Sequence, residues 1–155
     1  MNKKDLKPAS VFYYFEEICQ VPRPSKREEK IIAYLKAFGR KHGLETKTDE
    51  VGNVLIKKPA TPGKENLKTV ILQSHIDMVC EKNSDVEHDF LIDPIDTVVD
   101  GEWLKAKGTT LGADNGIGVA TELAILAATD IEHGPLECLF TVDEETGLTG
   151  AFALK

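Results

Sequence analysis

Cysteine is scarce and scattered. Cys19, Cys80 and Cys138 are odd in number, lie far apart and form no Cys-x-x-Cys pair, which excludes a disulfide framework and a thiolate zinc site. Free, buried thiols in a reducing compartment are the expectation, with Cys80 and Cys138 each beside apolar residues. No apolar run reaches the roughly 20 residues that a membrane-spanning helix needs. The opening Met-Asn-Lys-Lys-Asp leads into Pro8 without the apolar core of a signal peptide. A cytoplasmic chain with no membrane partner is expected. Basic residues are also outnumbered, 19 against 26 acidic ones, for a net charge of -7. With no basic cluster to offset that balance, nucleic acid is excluded as a partner. An acidic excess suits a cation site, but a solvated acidic surface gives the same count, so position has to decide.

What is present is enough for a core. At 155 residues, 41% hydrophobic and 29% charged, the chain is apolar enough to fold as one unit. The spacing predicts a helix capped by Ser10, with Val11, Phe12, Phe15, Ile18 and Cys19 as its apolar positions and Pro22 and Pro24 as its end. Ser25 and Glu28 form a capping-box pattern ahead of a second amphipathic helix through Ile31, Ile32, Leu35 and Phe38, stopped at Gly43. Residues 44–48 and 53–58 read as a hairpin around a turn at 49–52. The apolar run 69–73 has the pattern of a strand buried on both faces in a parallel sheet.

An acidic, irregular loop follows from Glu81 to about Ile95, then a small hairpin around Asp100-Gly101, with Trp103 as its packing residue. Residues 115–128 are apolar nearly all round, which predicts a buried helix. Residues 136–142 form a last strand that runs into Asp143, Glu144 and Glu145. Helices alternating with apolar strands indicate an α/β fold with a mostly parallel central sheet flanked by helices.

His75 and Asp77 end one strand, Asp114 precedes a helix, and Glu144 and Glu145 end another strand. Open α/β sheets gather ligands at the carboxyl ends of their strands. One imidazole with several carboxylates suits zinc, manganese or cobalt, and the lack of thiolates favours a catalytic over a structural ion. Taken singly, a strand-end His is more often a structural hydrogen-bonded residue, and Asp-Glu-Glu is often a solvated strand end. Three such elements at three predicted strand ends or helix starts are improbable as unrelated charges.

Other chemistries fit poorly. The run 136–145 is shaped like the acidic strand of a nucleotide hydrolase, but Gly63-Lys64 is followed by Glu65 and no phosphate loop exists. Ser74, His75 and Asp77 are too close in sequence to face one another as a triad, and there is no Gly-x-Ser-x-Gly elbow. Ser74 is read as structural, and His42, His88 and His133 as surface residues.

The runs Ser-His-Ile-Asp-Met-Val at 74–79, Leu-Gly-Ala-Asp-Asn-Gly-Ile-Gly at 111–118 and Asp-Glu-Glu-Thr-Gly at 143–147 resemble those of the di-zinc metallopeptidases. More narrowly, they resemble the cytosolic aminoacyl-histidine (Xaa-His, carnosinase-like) dipeptidases. The resemblance covers essentially the whole chain, including Val-Pro-Arg-Pro-Ser at 21–25 and Glu50 to Asn53. It implies a zinc-exopeptidase-like catalytic domain that binds two divalent ions, zinc with manganese or cobalt as alternatives, and hydrolyses unblocked dipeptides with a preference for those ending in histidine. It makes His75 a ligand of one ion, Asp114 the carboxylate bridging both, and Glu145 a ligand of the second. Asp77 then fixes the His75 ring from behind, and Glu144 serves as general base and then general acid. It further implies a cis peptide between Asp114 and Asn115, eased by Gly112 and Gly116.

Two further ligands of that family, an Asp beyond the Glu-Glu pair and a His near the far C-terminus, have no counterpart before Lys155. Neither does its lid and dimerisation domain, through which the parent protein is expected to form a homodimer. Residues 1–155 are thus expected to be the N-terminal portion of the catalytic domain, inactive alone, with 148–155 a helix cut in progress. The alternative is a non-catalytic metal- or peptide-binding module that keeps a half-site.

Overall fold

The computed structural model describes residues 3–154. After a short 3-10 turn, α1 (Ala9–Cys19) and α2 (Glu29–Lys41) precede β1 (Glu45–Thr48), β2 (Val54–Lys58) and β3 (Val70–His75). A small hairpin, β4 (Thr97–Asp100) and β5 (Trp103–Ala106), then leads to α3 (Ala113–Ala127), β6 (Leu136–Thr141) and the single turn α4 (Thr149–Phe152).

The main sheet has the order β1-β2-β6-β3. The α/β class stands and the sheet is mixed: β1 with β2 and β2 with β6 run antiparallel, and β3 with β6 runs parallel. The tight turn after β1 can only reverse the chain, whereas α3 lies on the path between β3 and β6 and permits the parallel pairing. Alternate side chains of the sheet, Val54, Ile56, Cys138 and Phe140, are buried against Phe15 and Ile18 of α1, Ile31, Leu35 and Phe38 of α2, and Val119, Leu123 and Leu126 of α3.

Several local expectations are corrected. Ser10 lies inside α1, whose N-cap is Pro8 in extended geometry, with the Phe12 amide donating to the Pro8 carbonyl. The Ser25–Glu28 pair caps nothing: α2 starts with no side-chain cap, because both side chains are held by distant parts of the chain. Strand β3 is not buried on both faces. Among the described residues it pairs with β6 alone, and Val70 and Ile71 at the sheet edge are 49% and 62% exposed. Trp103 is 71% exposed and so is not the packing residue of its hairpin. The expected helix over 148–155 is the one turn α4, and Lys155 lies outside the described residues.

Candidate metal centre

Because β3 and β6 are parallel and in register, with His75 opposite Thr141, both strands deliver their next residues to the same end of the sheet. The ladder continues one step, the Ile76 amide donating to the Thr141 carbonyl. Beyond it, the chain turns inward at Asp77, whose carboxylate is fully buried and acts as a hub. Oδ1 accepts from the Glu144 amide at 3.0 Å and faces His75 Nδ1 at 3.2 Å, while Oδ2 accepts from Ser25 Oγ at 2.7 Å and from the Glu145 amide at 3.2 Å. Burial alone would raise the Asp77 pKa, but the hydrogen bonds from His75, the two amides and Ser25 outweigh it and bring it down to about 2.

With Nδ1 turned to Asp77, His75 presents Nε2 to the carboxylates, 3.1 Å from Asp114 Oδ1 and 3.8 Å from Glu144 Oε2. Burial pulls the imidazole pKa down, yet the contacts to Asp77 and Asp114 and the charges of Asp77 and Glu144 prevail and raise it to about 9. The same carboxylates would favour a divalent cation at Nε2 once that nitrogen has given up its proton. Donor atoms of His75, Glu144 and Glu145 all lie within 4.8 Å of one another. Burial and the neighbouring carboxylates push the Glu145 pKa up against the opposing pull of His75.

Asp114 stands at a break in α3. Its φ/ψ of -88°/112° and those of Asn115, -106°/33°, are not helical, and the peptide between them is cis. The residue projects into solvent, its side chain 88% exposed.

All five residues singled out in the sequence, His75, Asp77, Asp114, Glu144 and Glu145, therefore gather at one strand end. One nitrogen and several carboxylate oxygens, with the second ring nitrogen already engaged, form a donor set that suits a borderline divalent ion.

A second trio, Glu28, Asp77 and Asp143, also lies within 4.8 Å, but its oxygens are engaged by the protein. Glu28 Oε1 accepts from the amides of Lys26 and Asp143. Asp143, at φ 47°, accepts from the hydroxyls of Thr146 and Thr149. This trio holds the acidic loop in shape instead of offering a free site.

Sequence reasoning passed over the residues behind the site. The Arg23 guanidinium, 2% exposed, donates to the carbonyls of Ile76, Asp77 and Gly112. Asn53 Oδ1 accepts from the Val142 amide while its Nδ2 donates to the Gly150 carbonyl, which braces both ends of the acidic loop. The available signal was polar residues in unpromising places: an Arg between two prolines, and an Asn opening an apolar strand.

Comparison with known proteins bears on the same residues. No family model matches the chain. It is 52% identical over 150 residues to the cytosol non-specific dipeptidase of Escherichia coli, a match that covers 97% of this chain and 31% of that protein. The solved aminoacylhistidine dipeptidase from Vibrio alginolyticus superposes with a TM-score of 0.96 at 54% identity, over 100% of this chain and 32% of that one. Aminopeptidase PepT from Bacillus cereus follows at a TM-score of 0.78 and 28% identity, over 94% of this chain and 39% of that one. The chain spans about a third of the length of these relatives. Across essentially all of its own length, it is homologous to the aminoacyl-histidine dipeptidases, within the zinc-peptidase fold.

Proposed function

We propose that the chain carries half of the metal centre of a dipeptidase that cleaves unblocked dipeptides, those ending in histidine among them. The convergence of His75 Nε2 with the carboxylates of Asp114, Glu144 and Glu145 at the end of β3 and β6 supports this reading more than any other observation. The homology to named dipeptidases supports the reaction class. His75, Asp114 and Glu145 would hold two divalent ions, zinc by preference, with His75 serving one, Glu145 the other and Asp114 both. Bound there, the ions supply Lewis acidity to a water molecule and to the substrate carbonyl.

The protein's own residues do the rest. Asp77 orients the His75 ring and fixes its tautomer through Nδ1. Glu144, beside His75 and only half-buried, takes a proton from the attacking water and returns it to the departing amine, so its carboxylate moves a proton and binds no ion. The ligand set is completed by residues outside this chain, and hydrolysis belongs to the full-length protein.

The decisive experiment is dipeptide hydrolysis by the full-length protein before and after chelation and dialysis. Turnover should disappear with the metal and return on adding zinc or manganese. Unchanged turnover after verified metal removal would exclude the reading. The chain alone should bind zinc weakly, with negligible hydrolysis.

A further inference from the structure

The turn after α1 passes directly behind the metal centre, and Arg23 reaches from it to two of the ligand-bearing segments at once. Nη1 donates to the carbonyls of Ile76 at 3.2 Å and Asp77 at 3.3 Å, on the chain leaving His75. Nη2 donates to the carbonyl of Gly112 at 2.6 Å, two residues before Asp114. The Arg23 carbonyl in turn accepts from the Met78 amide at 3.1 Å, which locks the turn to the same segment. All three acceptors of the guanidinium are main-chain oxygens, so what it fixes is the position of the backbone. Burying a guanidinium costs more than burying an apolar side chain of equal volume, so stability alone is a weak reason for an Arg here.

A second observation points the same way. Gly112 and Gly116 flank Asp114 symmetrically, and a Cβ at either would stand 2.6 or 2.7 Å from Arg23 Nη2. The two glycines leave room for the guanidinium against the loop, and this accounts for Gly116 better than a need for backbone freedom, since its φ is not positive.

We propose that Arg23 is a positioning residue for the candidate centre, fixing the separation between His75 and Asp114 by gripping the backbone next to both. The inference rests on the metallopeptidase reading above. Lysine carries the same charge but is a single point donor, and it cannot bridge two segments as the planar fork does.

The test is cobalt(II) titration of the metal-free full-length protein, followed by the visible spectrum of the bound ion, in wild type, Arg23→Lys and Gly116→Ala. The last variant keeps Arg23 but pushes its guanidinium off the loop. Both variants should lose roughly 10- to 100-fold in cobalt affinity, as is typical when groups supporting a ligand are removed, and should show an altered cobalt spectrum. If Arg23→Lys does not fold, Gly116→Ala decides alone. A folded variant with wild-type affinity and spectrum, or one with only a lowered melting temperature and an unchanged spectrum, would overturn the inference. Wild-type protein that binds no cobalt would sink the metallopeptidase reading itself, a result distinct from either.

Discussion

Glu144 and Glu145 are neighbours in sequence, and both their amides are anchored on the Asp77 carboxylate, yet their side chains meet different surroundings. Glu144 is half-buried with Oε2 3.8 Å from His75 Nε2, whereas Glu145 is exposed. Replacing Glu144 by Gln keeps the shape but removes the proton acceptor, and should lower kcat by roughly 10²- to 10⁴-fold while metal content stays near that of wild type. Glu145→Gln should instead reduce metal content. Elemental analysis alongside steady-state kinetics reads both, and a Glu144→Gln protein stripped of metal beside a fully loaded Glu145→Gln protein would reverse the two roles. At this scale the sequence was informative because strand ends are marked locally, by an apolar run that stops at His75 or Asp143. Arg23 and Asn53 were not legible, because the partners through which they brace the site, Ile76, Asp77 and Gly112 for one and Val142 and Gly150 for the other, lie 53 to 97 positions away.

At the scale of elements, α3 was readable as a buried helix, but its apolar periodicity hides a carboxylic acid inside. Glu122 is 4% exposed and lies against Ser74 and Cys138. Burial raises its pKa to about 7 from 4.5, against a smaller opposing pull from Ser74 and Cys138. Between those two values the folded chain holds a proton that the unfolded chain has lost, so stability falls as pH rises through this window and is level above it. Glu122→Gln, neutral at every pH, should therefore gain on wild type from about pH 4.5 to 7, by at most about 3 kcal/mol. Denaturant melts of both proteins at pH 4.5 and 8 measure the change, and an equal difference at the two pH values would show that Glu122 is not a buried neutral acid. The capping box teaches a related lesson. Ser25 and Glu28 have the right spacing for a helix start, but Asp77 and the Asp143 amide compete for the same oxygens and win. A local pattern yields where a long-range partner offers buried, charge-assisted hydrogen bonds.

For the whole molecule, helices cover one face of the sheet and leave the other open. Leu55 and Leu139 are half-buried on that open face, in an open groove of about 810 Å³ that Phe152 and Leu154 also line. At the end of the sheet, β3 offers an edge that no other strand of the described residues pairs with, and Val70 and Ile71 on it are exposed. The apolar run at 69–73 made β3 look interior because apolarity records how a strand is to be covered and carries no information about which part of the protein covers it. An edge strand with free amides and carbonyls, on a sheet that carries an apolar groove, is a template for pairing with another chain. The isolated 155-residue chain should accordingly self-associate at concentrations on the order of μM to mM, the range in which exposed apolar surface and unpaired strand edges associate. Ile71→Lys, which places a charge on that edge without touching the buried face, should shift it toward monomer. Sedimentation velocity of both chains at matched concentration gives the answer: a wild-type chain that sediments as a monodisperse monomer would mean that this surface is self-sufficient in water. Association undiminished by the lysine would place the contact elsewhere on the molecule.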